Sequence, residues 1–151
     1  MPERPTVHAS AVLVGAHAVL IRGPSGSGKS RLALALIAAG ETKLLPFARL
    51  VADDRVALEA CHGRLLARPP ARLAGLVEVR GLGIQQMRYE AVAVVGSVVD
   101  LAAADAQRLP SPSERQTVID ALPLPRLAVA SGENPMPLVM AFLRAKEPVC
   151  S

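Results

Sequence analysis

The residues best suited to chemistry are Gly23-Pro24-Ser25-Gly26-Ser27-Gly28-Lys29-Ser30, which satisfy G-x-x-x-x-G-K-[ST] at every fixed position and follow the apolar run Ala18-Val19-Leu20-Ile21. Glycines at 23, 26 and 28 let successive backbone N–H groups turn inward around an anion, where a Cβ would obstruct them. Lys29 brings a positive charge to the β- and γ-phosphates of a nucleotide, and Ser30 offers a hydroxyl to Mg²⁺. A helix starting here adds the positive end of its dipole. The segment therefore reads as a phosphate cradle. The competing reading, a Gly/Ser-rich turn with an incidental lysine, does not explain a strand-like run on one side and a helix-like run on the other.

Three acids and a histidine extend the set. Leu50-Val51-Ala52 leads into Asp53 and Asp54, and an apolar strand ending in Asp is where a nucleotide-binding cradle commonly finds its metal-linked or water-linked acid. Side chains alternate along a strand, so only one of the pair faces the γ-phosphate if strand geometry persists. A plain strand-to-turn transition is the other reading, since Asp is common there. Glu78, among Leu76, Val77 and Val79, needs a metal or an arginine if it is buried; otherwise it is a surface strand residue paired with Arg80 or Arg88. His8 reads by pattern alone as a half-exposed strand histidine.

The elements that must position these residues begin with a hairpin, Thr6 to Val14 and Ala18 to Ile21, turned at Gly15-Ala16-His17. A hairpin ahead of the cradle departs from a plain doubly wound sheet, because its strands are antiparallel. Lys29 to Ala39 consists mostly of strong helix formers, with Gly40 placed to close the helix, and its nearly all-round apolarity indicates burial between layers. Val56–Glu59 and Arg64–Ala67 form a second hairpin with His62 at its tip and an edge facing solvent. Leu76 to Val79 is a short strand running into a glycine-punctuated turn. Ala91 to Val99 is a Val-rich strand interrupted by Gly96, a short helix starts around Ser113 to Gln116, Leu127 to Ala130 is the last strand, and Met136 to Ala145 is a terminal helix.

Composition sets the limits. The 151 residues are one domain's worth, and half are hydrophobic although there is one Tyr, two Phe and no Trp; the core must be Ala, Val and Leu, which suits buried strands and Ala-rich helices. The net charge is +4, but the arginines are scattered and no basic run or RNA-binding aromatic motif occurs, so no nucleic-acid partner is expected. Cys61 and Cys150 lack any ligand spacing, which gives a reduced, cytoplasmic protein as the default. The N-terminal residues contain no apolar leader and nowhere do eighteen apolar residues run together, so neither export nor a membrane span is expected.

Val7-His8, Gly23 to Ser30, Leu50-Val51-Ala52-Asp53-Asp54 and, most diagnostically, Glu78-Val79-Arg80-Gly81-Leu82-Gly83-Ile84 together resemble the bacterial HPr kinase/phosphorylases, in their C-terminal catalytic domain. The resemblance implies an α/β fold, a P-loop domain with a mixed sheet similar to phosphoenolpyruvate carboxykinases and helices packed on that sheet. It implies ATP- and Mg²⁺-dependent phosphorylation of a serine on HPr, the phosphocarrier of the sugar phosphotransferase system, by a hexamer. In this reading His8 is an active-site histidine, Lys29 neutralises phosphate charge, and Ser30 and Glu78 hold Mg²⁺. Asp53 and Asp54 are the catalytic pair, with Asp54 favoured as proton acceptor, and Arg115 matches a further active-site arginine. Two departures stand out: the catalytic part begins within ten residues of Met1, without the family's usual N-terminal domain, and Ala130-Ser131-Gly132-Glu133-Asn134 stands where the family commonly has R-P-G-R-N. That segment is tied to the reverse, phosphorolytic reaction, so kinase activity is expected without a matching expectation of phosphorylase activity. A small-molecule kinase and a non-catalytic ATP-sensing module are the alternatives.

Overall fold

A computed structural model of the chain describes residues 4–145; Cys150 and the first three residues lie outside them. In chain order the elements are β1 (Thr6–Val14), β2 (His17–Arg22), α1 (Lys29–Glu41), β3 (Ala48–Ala52), β4 (Arg55–Cys61), β5 (Arg64–Arg68), β6 (Leu76–Val79), β7 (Gly83–Gln86), β8 (Ala93–Asp100), β9 (Gln116–Ile119), β10 (Leu122–Ala128) and α2 (Pro135–Ala145), with single 3-10 turns at Ala71–Leu73 and Pro112–Arg115. Among the described residues no helix is long and apolar enough to cross a membrane.

β1 and β2 form the expected hairpin, and β1 also pairs antiparallel with β3 on its other side. β8 pairs parallel with β2, and β10 parallel with β8. The result is a mixed sheet in the order β3-β1-β2-β8-β10, in which β1 alone runs against the others. The start of β1 pairs with β4, β4 with β5, and β5 with the start of β8, all antiparallel. β1 and β8 thus belong to both sheets and hold them face to face.

Alternation along β2 shows how the layers are separated. Ala18 and Leu20 point between the sheets, with Ala11, Val51, Val56, Leu65 and Val98. Val19 and Ile21 point the other way, into a second core with Leu32 and Leu36 of α1 and Val139 of α2. α1 lies on β1, β2 and β3 and is covered in turn by α2 and β6, which is why it is apolar on nearly every side.

Several expectations are corrected. Gly40 does not close α1: the helix runs on to Glu41, Thr42 hydrogen-bonds back to Ala38 O, and the left-handed residue is Lys43 at φ 66°. Gly40 is there because the β3 backbone comes too close for a side chain; a Cβ would sit 2.7 Å from Ala48 N. Gly40→Ala therefore destabilises the fold by about 1–3 kcal/mol, the overpacking cost outweighing better helix propensity, as a lower denaturation midpoint will show. The second hairpin has no solvent edge at β5, which is bonded to β4 and β8. Gly96 does not interrupt β8 but is skipped in the pairing with β2 between Val95 and Ser97, a bulge.

The C-terminal third departs most. The last strand is Leu122–Ala128, not 127–130, and it forms a hairpin with β9 through Asp120 and Ala121, both at positive φ. Pro123 and Pro125 fall in the half of β10 that pairs with β9 alone, and the parallel pairing with β8 starts at Arg126. Proline is tolerated there because no second ladder needs its missing N–H. The helix start near Ser113 is only the 3-10 turn, with Ser111 and Glu114 in a capping box, because Gln116 enters β9.

Candidate active site

The cradle links the end of β2 to the start of α1. Gly26 and Gly28 adopt φ 82° and 101°, values that only glycine takes without strain. Gly23 is required for a different reason: a Cβ there would lie 2.5 Å from Ser27 Oγ and 3.1 Å from Leu101 O. Ser27 Oγ is buried beneath the loop without a hydrogen-bond partner. Pro24 and Ser25 form the exposed crest. Lys29 is only 8% exposed. Its ammonium donates to Gly23 O at 2.8 Å and Pro24 O at 3.2 Å, which holds a positive charge at the cradle's mouth.

The two aspartates diverge because β3 ends at Ala52. Asp53 turns toward α1, is 6% exposed, and accepts from Ser30 Oγ at 2.8 and 2.9 Å and from Ser10 Oγ at 2.7 Å. Asp54 takes the left-handed conformation, φ 68°, which Asp tolerates better than most residues. Its carboxylate swings outward to His8 Nδ1 at 3.2 Å, with both side chains more than half exposed. The Asp54 N–H donates back to Ser10 Oγ at 3.3 Å. Ser10 and His8 are two residues apart on β1 and so share a face. One string of contacts therefore runs from Ser30 of the cradle through the buried Asp53 and Ser10 to the exposed Asp54 and His8.

Asp53 has hydroxyl donors but no cationic partner among the described residues, and Lys29 is turned to the loop carbonyls instead. A buried carboxylate balanced by dipoles alone suits a site that admits a cation. A serine hydroxyl beside a carboxylate oxygen is the oxygen donor set Mg²⁺ favours, completed by water and phosphate. Among the described residues there is no group of three or more His, Cys, Asp or Glu that could hold a metal ion.

Glu78 and Arg115 are not joined to this string. Glu78 is exposed on β6, whose neighbours Val77 and Val79 face the helix-side core. Among the described residues it makes no ion pair with Arg80 or Arg88. Arg115, at the end of the 3-10 turn, is exposed and lines a surface depression with Pro112, Gln116 and Pro123 to Pro125. Two arginines that no local pattern singles out join a network at the cradle's entrance. Arg22, just before Gly23, forks onto Asp100, which also binds Arg126. The signal available was Arg22 itself, abutting the motif; its partners become visible only once β8 and β10 are aligned with β2.

Burial is the largest influence on the Asp100 carboxyl and pushes its pKa up, but hydrogen bonds and charge from Arg22 and Arg126 outweigh it and hold the pKa below the ordinary value. A carboxyl depressed on folding stabilises the fold above its unfolded pKa and loses that contribution as pH falls through the folded one. The difference in Tm between wild type and Asp100→Asn therefore stays level from neutral pH down to about pH 4 and shrinks below it, as thermal melts across that range will show.

The family model described as HPr Serine kinase C-terminal domain matches residues 1–141. The chain belongs to this family. Curated relatives named HPr kinase/phosphorylase include one from Clostridium beijerinckii, 44% identical over 78 residues, and one from Lactobacillus delbrueckii subsp. bulgaricus, 41% identical over 85 residues. These alignments cover 52% and 56% of the chain but only 24% and 25% of the relatives, so it spans about a quarter of the length of the proteins it matches. A solved structure, the Hpr(Ser) kinase/phosphatase from Coxiella burnetii, matches with a TM-score of 0.76 at 24% identity, over 94% of this chain and 95% of that one. That match shows a shared α/β fold with a mixed sheet and few helices.

Proposed function

We propose that this chain binds ATP with Mg²⁺ and transfers the γ-phosphoryl group to a serine hydroxyl of HPr or an HPr-like phosphocarrier. Membership of the HPr kinase family and the names of its relatives support the substrate. The observation that carries the chemistry is the string of contacts joining the cradle's Ser30 to the exposed Asp54–His8 pair. The hairpin ahead of the cradle and the single antiparallel strand in an otherwise parallel sheet fit the phosphoenolpyruvate-carboxykinase-like branch of P-loop folds.

In this reading the cradle amides and Lys29 hold the phosphates, and Ser30 and Asp53 hold Mg²⁺, with Glu78 assigned as a further ligand from the resemblance. Bound Mg²⁺ would neutralise charge on the β- and γ-phosphates. Asp54, exposed to an incoming protein, takes the proton of the serine hydroxyl as its oxygen bonds to phosphorus and ADP leaves. His8 orients that carboxylate. Arg115 is retained as an acceptor-side arginine, on the strength of the resemblance. The forward direction is the one proposed, because Ala130 and Glu133 stand where the reverse reaction would need cations.

Incubation with ATP, Mg²⁺ and HPr, followed by locating phosphate by mass spectrometry, tests the proposal. Phosphoserine on HPr is the expected product. ATP turnover with small acceptors but unmodified HPr, or ATP binding with no transfer at all, would overturn it.

A further inference from the structure

We propose that Asp100 is a positioning residue for the cradle, acting through Arg22 and Arg126; this rests on the reading that the cradle takes ATP. Asp100 ends β8, and in the parallel pairing its direct partner is Arg22, the residue before Gly23. Arg22 donates to Asp100 through Nε at 2.7 Å and Nη2 at 2.9 Å, a bidentate fork. Asp100 Oδ2 also accepts from Arg126 Nε at 2.5 Å, and Arg126 forks onward onto Asp105 at 2.7 and 2.9 Å. One carboxylate, its side chain 15% exposed, thus ties together the ends of three parallel strands, β2, β8 and β10.

The connection to the cradle is steric as well as polar. Leu101 N donates to Arg22 O and Val129 N to Asp100 O, both at 2.8 Å. The Leu101 carbonyl is also one of the atoms closest to where a Cβ on Gly23 would sit. Gly23 rests on the residue that follows Asp100, and Gly23 O is the nearer acceptor of the Lys29 ammonium. A shift at Asp100 is transmitted over two residues to the first turn of the cradle and to the lysine. No hydrogen bond joins the side chains of Arg22, Asp100 or Arg126 to Lys29, Ser30 or Asp53, so their influence on nucleotide binding is one of position.

The same network secures the turn leading into β9. Arg126 Nη1 donates to Glu114 O at 3.1 Å and Arg22 Nη2 to Thr117 Oγ1 at 3.3 Å. The segment from Glu114 to Thr117 is held by the two arginines that Asp100 holds. The network balances two cations against Asp100 and Asp105, so removing the Asp100 charge leaves Asp105 as the one counter-charge to Arg22 and Arg126 in that network.

The test is calorimetric titration of ATP into the full chain, with steady-state kinetics and thermal melts alongside. Asp100→Asn raises the Kd and KM for ATP about tenfold. Asp100→Asn/Arg126→Gln removes the charge imbalance without restoring the bridge; it recovers most of the melting temperature and none of the ATP affinity. An Asp100→Asn chain that binds ATP as the wild type does, or a double variant that regains affinity and stability together, would reduce Asp100 to a structural ion pair and overturn the proposal. A wild-type chain that binds no ATP sinks the ATP reading and this inference with it; the other adverse outcomes sink this inference alone.

Discussion

Lys29→Ala lowers kcat/KM for phosphoryl transfer by about a thousandfold or more, with most of the loss in kcat. The ammonium is nearly buried and anchored by the carbonyls of Gly23 and Pro24, so it is in place before any phosphate arrives and costs little reorganisation when charge develops on the transferring group. Its removal takes away the cradle's one fixed side-chain cation while leaving the glycine turns and helix N-terminus intact. ATP binding falls by about tenfold, less than transfer does, because backbone amides still contact the phosphates. The fold survives, since the two carbonyls released lie beside the exposed crest at Pro24 and Ser25. Single-turnover assays beside thermal melts separate these effects; transfer within tenfold of wild type would show that the cradle does not carry the reaction.

Asp53→Asn has the second largest effect, about a hundredfold to a thousandfold on kcat at saturating ATP, and it abolishes the dependence of rate on Mg²⁺ concentration in the millimolar range. The amide is isosteric and can still accept from one serine, so the Ser10 and Ser30 contacts are rearranged rather than lost. What disappears is the negative charge facing Ser30 Oγ. Because Asp53 has no cationic partner among the described residues, neutralising it strands no buried counter-charge, and Tm stays level or rises. A stability-only role predicts the reverse: a lowered Tm with Mg²⁺ dependence intact. Measuring initial rates against Mg²⁺ in both proteins distinguishes the two.

The fold was legible from the sequence where local pattern and tertiary context agree. The cradle, the hairpin before it and the helix after it follow from glycine placement and apolar periodicity within a few residues of each other. Alternation separates Asp53 from Asp54 only while strand geometry persists; β3 ends at Ala52, and it is the left-handed turn at Asp54 that parts them. The pattern became illegible where a long-range neighbour decides the outcome. Gly40 has the look of a helix terminator, but its cause is the β3 backbone, eight residues on. Pro123 and Pro125 argue against a strand until it is known that this half of β10 needs a partner on one side only. Arg22, Asp100 and Arg126 are spread over more than a hundred residues and come together because three parallel strands end side by side, which no local motif announces. Resemblance alone points to Arg115, which lines a surface depression with Pro112, Gln116 and the prolines of β10.

His8 shows the opposite balance. Nothing in its local pattern singles it out on β1; the family resemblance did so, and the geometry places it against the carboxylate of Asp54. The pair is exposed while Ser10 and Asp53 are buried, an arrangement suited to an acceptor that is itself a protein.

The most direct measurement is a crystal structure of the chain with Mg²⁺ and a non-hydrolysable ATP analogue. The phosphates are expected within the Gly23–Ser30 turn, with Lys29 Nζ moved from the carbonyls of Gly23 and Pro24 onto phosphate oxygens. Ser30 and Asp53 should flank the metal, and Asp54 should lie open to solvent on the γ-phosphate side. A nucleotide bound elsewhere, or one bound in the cradle with Asp53 still closed on Ser10 and Ser30 and Asp54 turned away from the γ-phosphate, would contradict the account.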